Sequence, residues 1–254
     1  MRDELLFAFL QPNQRHELTF ETYARSRPYV SGGEFFIEGL WSWEIALLEH
    51  SRVPRCGRVL LGAAGGGREL RALLELGYEV FAFEPVAPLF ESARTVAQGK
   101  RAVVVQADYD DLVARAKGKS GRLDGLGGHF DVCILGWASL SHLTEMGAAV
   151  DTLRALRALA PEASVIVSFV LRSTDRPAVK GGAGKLRNRL RRLLGGAGAH
   201  PVPSGLRFAT HIGFYYEYSV TEFTELCAQT GYAVEHFCET PYPHALLLPI
   251  AGSG

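Results

Sequence analysis

The chain has 254 residues, with 27 Lys+Arg against 27 Asp+Glu, and 47% hydrophobic against 21% charged residues. That mixture excludes an intrinsically disordered chain and a uniformly basic nucleic-acid binder, and the length is enough to bury the core of an α/β domain. No apolar run reaches the roughly 18 residues of a bilayer span. The opening MRDELLFAFLQPNQ lacks a small-residue cleavage site, and Cys56, Cys133, Cys227 and Cys238 form no CxxC pair. The expectation is a cytoplasmic protein with reduced thiols, no transmembrane segment and no metal site.

Residues 1–57 carry Phe20, Tyr23, Tyr29, Phe35, Phe36, Trp41 and Trp43 and read as an N-terminal helical cap plus a helix leading into the first strand. From residue 58 to the end the pattern is that of one domain. Arg58–Gly62 is a buried strand, followed by a Gly-rich turn and a helix over Glu69–Leu76 that Gly77 ends. Glu79–Glu84 is a second strand, Pro88–Ala97 a helix, and Ala102–Ala107 a third strand. After a Gly/Lys-rich connection come strand four at Phe130–Gly136, a helix over Glu145–Leu159 and strand five at Ala163–Val170.

Residues 171–206 are an insertion, within which Lys185–Leu194 sets four leucines on one helical stripe between two GGAG flanks. The capping box S-V-T-E starts a last helix at Ser219, which Gly231 closes. Strands Ala233–Glu239 and His244–Ile250 follow, joined by T-P-Y-P, a connection too short for a parallel crossover. Apolar strands separated by helices predict an α/β, doubly wound, mostly parallel sheet with an antiparallel last strand. Ligands then sit at the carboxyl ends of its strands.

Three strand ends carry chemistry. The turn L-L-G-A-A-G-G-G-R-E-L brings backbone N–H groups and a helix N-terminus close to a ligand without side chains in the way. The dinucleotide fingerprint fails at Leu70, which stands where the third glycine counted from Gly65 and Gly67 belongs, and no G-K-[ST] follows for Walker A. Glu84 ends strand two, where a carboxylate accepts both hydroxyls of a ribose. Asp108 and Tyr109 follow strand three in Q-A-D-Y. Each has a plainer reading: a tight structural turn, a solvated strand-end carboxylate, a helix N-cap.

Together the Gly-rich motif, E84-P, A-D-Y, F-D-V-C-I-L-G and the closing helix–hairpin resemble the class I S-adenosylmethionine-dependent methyltransferases over roughly residues 55–250. The resemblance implies a seven-stranded Rossmann-like sheet and S-adenosylmethionine as cofactor. It implies that Gly62, Ala63, Ala64, Gly65 and Gly67 wrap the methionine part and that Glu84, with Pro85 beside it, holds the ribose. Asp108 would then contact the adenine amino group, Tyr109 would lie against the ring, and Gly136 and Trp137 would be further cofactor neighbours. Two positions depart from the pattern: Leu61 replaces the usual acid near the end of strand one, and Ala63 replaces the first glycine. Glu69 or an N-terminal residue would have to compensate, and a non-catalytic relative that only binds the cofactor is the alternative.

The implied reaction is in-line displacement of the sulfonium methyl by an O, N or C nucleophile of a small-molecule acceptor, dependent on orientation and water exclusion. The segment after strand four, G-W-A-S-L-S-H-L-T-E, lacks the Asn/Asp-Pro-Pro-aromatic motif of nucleic-acid amino-methylating enzymes. His142 within it is the candidate general base, or else a histidine packed at a helix start. Tyr29, His211 and Tyr215 are candidates for the acceptor pocket, or for packing. The zero net charge is a cancellation. Residues 172–192 hold Arg172, Arg176, Lys180, Lys185, Arg187, Arg189, Arg191 and Arg192 against Asp175, and the rest of the chain is acidic. Within that segment, 180–192 is where RNA or another anionic surface would bind, which makes an RNA methyltransferase the second alternative; the plainer reading is a solvated surface lid.

Overall fold

The structure is a computed structural model that describes residues 10–173 and 204–251. Its centre is a seven-stranded sheet in the order β3-β2-β1-β4-β5-β10-β9. The strands are β1 Arg58–Gly62, β2 Glu79–Phe83, β3 Ala102–Val105, β4 Val132–Leu135, β5 Ser164–Ser168, β9 Tyr232–Cys238 and β10 His244–Pro249. β1 through β5 pair in parallel, and β10 runs antiparallel to both β5 and β9. This is the doubly wound sheet with an antiparallel last strand that the alternation of elements predicts.

Alternate side chains of β1 feed two cores, as the two-residue period of a strand requires. Val59 and Leu61 pack with Leu70 and Leu73 of α4 (Arg68–Glu75), Ala93 of α5 (Ala87–Ala97), and Trp43 and Leu47 of α3 (Ser42–Leu48). Leu60 packs on the other face with Leu112 of α6 (Tyr109–Ala116), Leu153 of α8 (Met146–Leu159) and Leu226 of α9 (Val220–Gln229). With both faces covered, the central strands β1, β4 and β5 are largely apolar, whereas the edge strands β3 and β9 are partly exposed. Ser219 and Glu222 exchange hydrogen bonds at the start of α9 (3.1 and 2.8 Å), the expected capping box, and Gly231 follows its end at φ +79°.

Gly62 lies level with Phe83 of β2 on one side and Leu135 of β4 on the other. β1 connects outward to β2 and β3, whereas β4 and β5 lie on its other side, so the strand order reverses between β1 and β4. That reversal opens a crevice above their carboxyl ends.

The cap comprises α1 (Pro12–Ala24), a 3₁₀ turn (Arg27–Tyr29), α2 (Glu34–Glu38) and α3, which leads into β1 as anticipated. Three features differ from expectation. The expected strand Ala163–Val170 divides at Phe169, whose ring stacks on Phe223 at 4.2 Å. Beyond it β6 (Val170–Leu171) leaves the main sheet and joins β8 (Gly213–Tyr218) and β7 (Leu206–Ala209) in a second, three-stranded sheet. α6 occupies the stretch after strand three, where the Gly/Lys-rich composition pointed to a connection. The basic helix over Lys185–Leu194 and its glycine flanks lie outside the described residues.

Among the described residues no helix is long and apolar enough to cross a membrane, and no three His, Cys, Asp or Glu side chains group as a metal site.

Candidate functional site

A cleft open to solvent lies at the carboxyl ends of β1, β2 and β4. Its floor is the turn after β1. Ala63, Gly65 and Gly67 have φ of +53°, +55° and +97°, so the first position of the motif takes the left-handed conformation with an alanine. That costs about 1 kcal/mol relative to glycine. Gly62 has no room for a side chain, because a Cβ would come within 2.8 Å of the Phe83 ring and 2.9 Å of Tyr109. Gly66 meets the cap: a Cβ there would run into the backbone carbonyl of Tyr29. Ser92 of α5 fastens the two together, donating to the Gly66 carbonyl (2.9 Å) and accepting from the Ser31 N–H (2.7 Å).

Glu84 stands at the end of β2 with 3% exposure. Oε2 accepts from the Gly65 N–H (2.8 Å) and Oε1 from the Val86 N–H (2.9 Å), which aims the carboxylate along the cleft wall. Burial pushes this carboxyl up to about 7, against the pull of those two N–H groups. Asp108 is the N-cap of α6, accepting from the Asp111 N–H at 2.9 Å, and it also lines the cleft. The helix-cap reading of this residue therefore holds in the structure. Tyr109 packs edge-on to Phe83 and shares a hydrogen bond with Ser139 (2.7 Å).

A buried charge cluster closes the end beside α4. Arg68 donates to both Glu44 oxygens (2.6 Å each), to Glu69 (2.7 Å) and to the Gly39 carbonyl (2.7 Å). Burial disfavours its charge, but the two carboxylates outweigh that and hold the guanidinium protonated. Burial raises Glu44 to about 7, opposed by Arg68 and reinforced by Glu69. Glu69 lines the cleft; its Oε1 also accepts from the Trp137 N–H (3.2 Å), bridging the turn after β1 to the segment after β4. Leu61 is fully buried among the α3 and α4 side chains, so no carboxylate comes from β1.

The opposite wall is aromatic. Trp137 lies among Phe35, Trp41 and Tyr242 with ring centroids 5.4–5.6 Å apart. His16, Thr19, Phe20 and Tyr23 of α1 face the cleft from above. Tyr23 Oη lies 2.8 Å from His142 Nε2, while His142 Nδ1 lies 2.9 Å from the Phe214 carbonyl. Burial lowers His142 to about 4 and raises the Tyr23 phenol well above its ordinary value.

Of the residues singled out in the sequence, Ala63, Ala64, Gly65, Glu84, Pro85, Asp108, Tyr109, Trp137, Tyr29 and His142 line this one cleft. Gly62, Gly67 and Gly136 shape it from beneath: Gly67 is the N-cap of α4, and the Gly136 N–H binds the Gly62 carbonyl at 2.8 Å. His211 and Tyr215 are not on its wall. His211 is exposed in the β7–β8 turn, and Tyr215 alternates away from Phe214 and Tyr216, the buried side chains flanking it on β8. Sequence reasoning gave Tyr23 no role beyond that of a cap aromatic and passed over His16 and Thr19. Positions 16, 19, 20 and 23 form an i, i+3, i+4, i+7 stripe, the signal that would have found them.

No family model matches the sequence, and no curated protein matches it significantly. Solved structures do match. The chain has the class I S-adenosylmethionine-dependent methyltransferase fold. Among the similar structures is an S-adenosylmethionine-dependent methyltransferase from Leishmania major, 16% identical over 97% of this chain and 89% of that one, with a TM-score of 0.58. A sugar N-methyltransferase from a Streptoalloteichus species is 14% identical over 82% and 85% of the two chains, TM-score 0.54. An S-adenosylmethionine-dependent methyltransferase from Methanosarcina mazei is 14% identical over 84% and 99%, TM-score 0.53.

Proposed function

We propose that this chain is an S-adenosylmethionine-dependent methyltransferase whose acceptor is a small molecule enclosed between the strand ends and the N-terminal cap. The observation that carries the reading is Glu84: a buried carboxylate at the end of β2, tied to the backbone of the turn after β1 and facing an open cleft. A pair of ribose hydroxyls is the ligand such a carboxylate suits. The cofactor, when bound, supplies an electrophilic methyl group on a sulfonium.

The chain's own residues do the rest. The turn at Ala63–Gly67 keeps side chains out of the way of the methionine portion. Glu84 takes the ribose, and Asp108 and Tyr109 border the adenine. Glu69, whose Oε1 accepts from Arg68 and from the Trp137 N–H, presents Oε2 to the cofactor's ammonium in place of the acid missing at Leu61. The cap, packed against Gly66, keeps water from the reacting atoms.

The test is to incubate the protein with methyl-labelled S-adenosylmethionine and the small-molecule fraction of a cell extract, then follow the label by mass spectrometry. Label in a small molecule is expected. Label confined to the RNA or protein fraction contradicts the acceptor class, and tight cofactor binding with no transfer in any fraction favours a non-catalytic binder.

A further inference from the structure

Both ring nitrogens of His142 are engaged. A carbonyl oxygen only accepts, so the contact with Phe214 puts the proton of the neutral ring on Nδ1. Nε2 is then an acceptor, and the Tyr23 hydroxyl donates to it. An acceptor molecule in the cleft finds no free ring nitrogen; the atom it meets is the Tyr23 oxygen.

The arrangement is held by one peptide of β8. The Phe214 carbonyl takes the His142 Nδ1–H, and the Phe214 N–H is held by Thr19 Oγ1 at 2.9 Å, one helical turn before Tyr23 on α1. Gly213 beside it is pressed against Thr19, where a Cβ would come within 2.7 Å. Around Tyr23 the wall is aromatic: Tyr29 packs edge-on at 5.2 Å, and Phe35 lies 4.9 Å from Tyr29 and 5.4 Å from Trp137. Such a wall suits a flat ring, and the Tyr23 hydroxyl is a polar group that can receive a substituent on it.

Resting on the methyltransferase reading, we propose that Tyr23 touches the acceptor and that the Tyr23–His142 pair removes the proton of a hydroxyl carried on an aromatic ring. As the acceptor oxygen forms its bond to the methyl carbon, the carbon–sulfur bond breaks and its electron pair stays on sulfur. The hydroxyl proton moves to Tyr23 Oη while the Tyr23 proton moves to His142 Nε2, and the imidazolium later returns it to water. The imidazolium charge appears as the sulfonium charge disappears, so the net charge of the cleft is unchanged across the step. That offsets the weak basicity that burial gives His142. The titratable groups facing the pair are His16 of α1, Tyr29 of the 3₁₀ turn, Tyr242 between β9 and β10, and Glu84.

The probe is 4-nitrophenol, whose ionised form is yellow, added at a pH below the probe's own pKa to protein saturated with sinefungin, a cofactor analogue that carries a protonated amine where the sulfonium stands. Wild type is expected to bind it as the phenolate. Tyr23→Phe and His142→Asn are expected to keep S-adenosylhomocysteine affinity and to lower the phenolate fraction by about tenfold, the effect of one pKa unit. An undiminished phenolate signal in Tyr23→Phe overturns the role of Tyr23, and a neutral or unbound probe in wild type overturns the proton transfer. Failure of wild type to bind S-adenosylhomocysteine at all is a different result, and it removes the methyltransferase reading beneath the proposal.

Discussion

Glu84 couples the chemistry of the cleft to the pH of the solution. Its carboxyl is raised in the folded protein from an ordinary 4.5 to about 7 by burial. A raised pKa means that the folded state binds the proton more tightly than the unfolded one. The associated stabilisation is therefore complete below about 4.5 and is lost as pH rises through about 7. For the ligand-free protein this amounts to about 3 kcal/mol across that window, at 1.36 kcal/mol per unit. Urea unfolding of wild type and Glu84→Gln should show it: the variant gains on wild type between pH 5 and pH 8 by about that amount. Glu44 titrates in the same range, but it is present in both proteins and drops out of the difference. Ribose hydroxyls donate to the ionised form, so binding should run the other way. S-adenosylhomocysteine affinity rises with pH up to about 7 in wild type and stays flat in Glu84→Gln, which binds roughly tenfold to a hundredfold more weakly.

Glu69 has a sharper signature at the same scale. Glu69→Gln should weaken S-adenosylhomocysteine while leaving 5′-methylthioadenosine, which has no ammonium group, bound as before. Equal losses for both would show that Glu69 only supports the Arg68 cluster.

Among the elements, the cap and the turn after β1 act as one unit. Ser92 is the link between them, and its hydroxyl makes two hydrogen bonds. Ser92→Ala should cost about 1–2 kcal/mol of stability and weaken cofactor binding by loosening Tyr29 from Gly66. Thermal unfolding and calorimetry check the two effects separately; unchanged binding would detach the cap from the cofactor site. The main sheet was legible in the sequence because its central strands bury both faces and each turn carries its own signal, as at Gly77, Ser219 and T-P-Y-P. The small β6–β8–β7 sheet was not. Its strands lie on either side of the 171–206 insertion, and β6 is two residues long and continuous with strand five in sequence. α6 was legible only through the N-cap reading of Asp108, because the Gly/Lys-rich residues that follow pointed to a connection. The cleft floor was readable from three strand ends. The role of α1 was not, because its contacts to β8 and to the short helix Ser139–His142 join residues far apart in the chain, as between Thr19 and Phe214 or Tyr23 and His142.

For the molecule as a whole, the proposed function makes the cleft between sheet and cap a binding site for one cofactor molecule. Binding to the folded state alone stabilises it by about 2.7 kcal/mol at a hundredfold excess of ligand over Kd, which should raise the unfolding temperature by several degrees. Charge distribution adds a separate expectation. The basic segment 180–192 lies outside the described residues, whereas every residue assigned to the cofactor belongs to the described part. Neutralising Arg187, Arg189, Arg191 and Arg192 should therefore leave S-adenosylhomocysteine affinity unchanged. The most direct measurement is a calorimetric titration of the purified wild-type chain with S-adenosylhomocysteine. The account predicts saturable binding of one molecule per chain, sharply weakened in Glu84→Gln; no binding by wild type, or binding indifferent to Glu84, would contradict it.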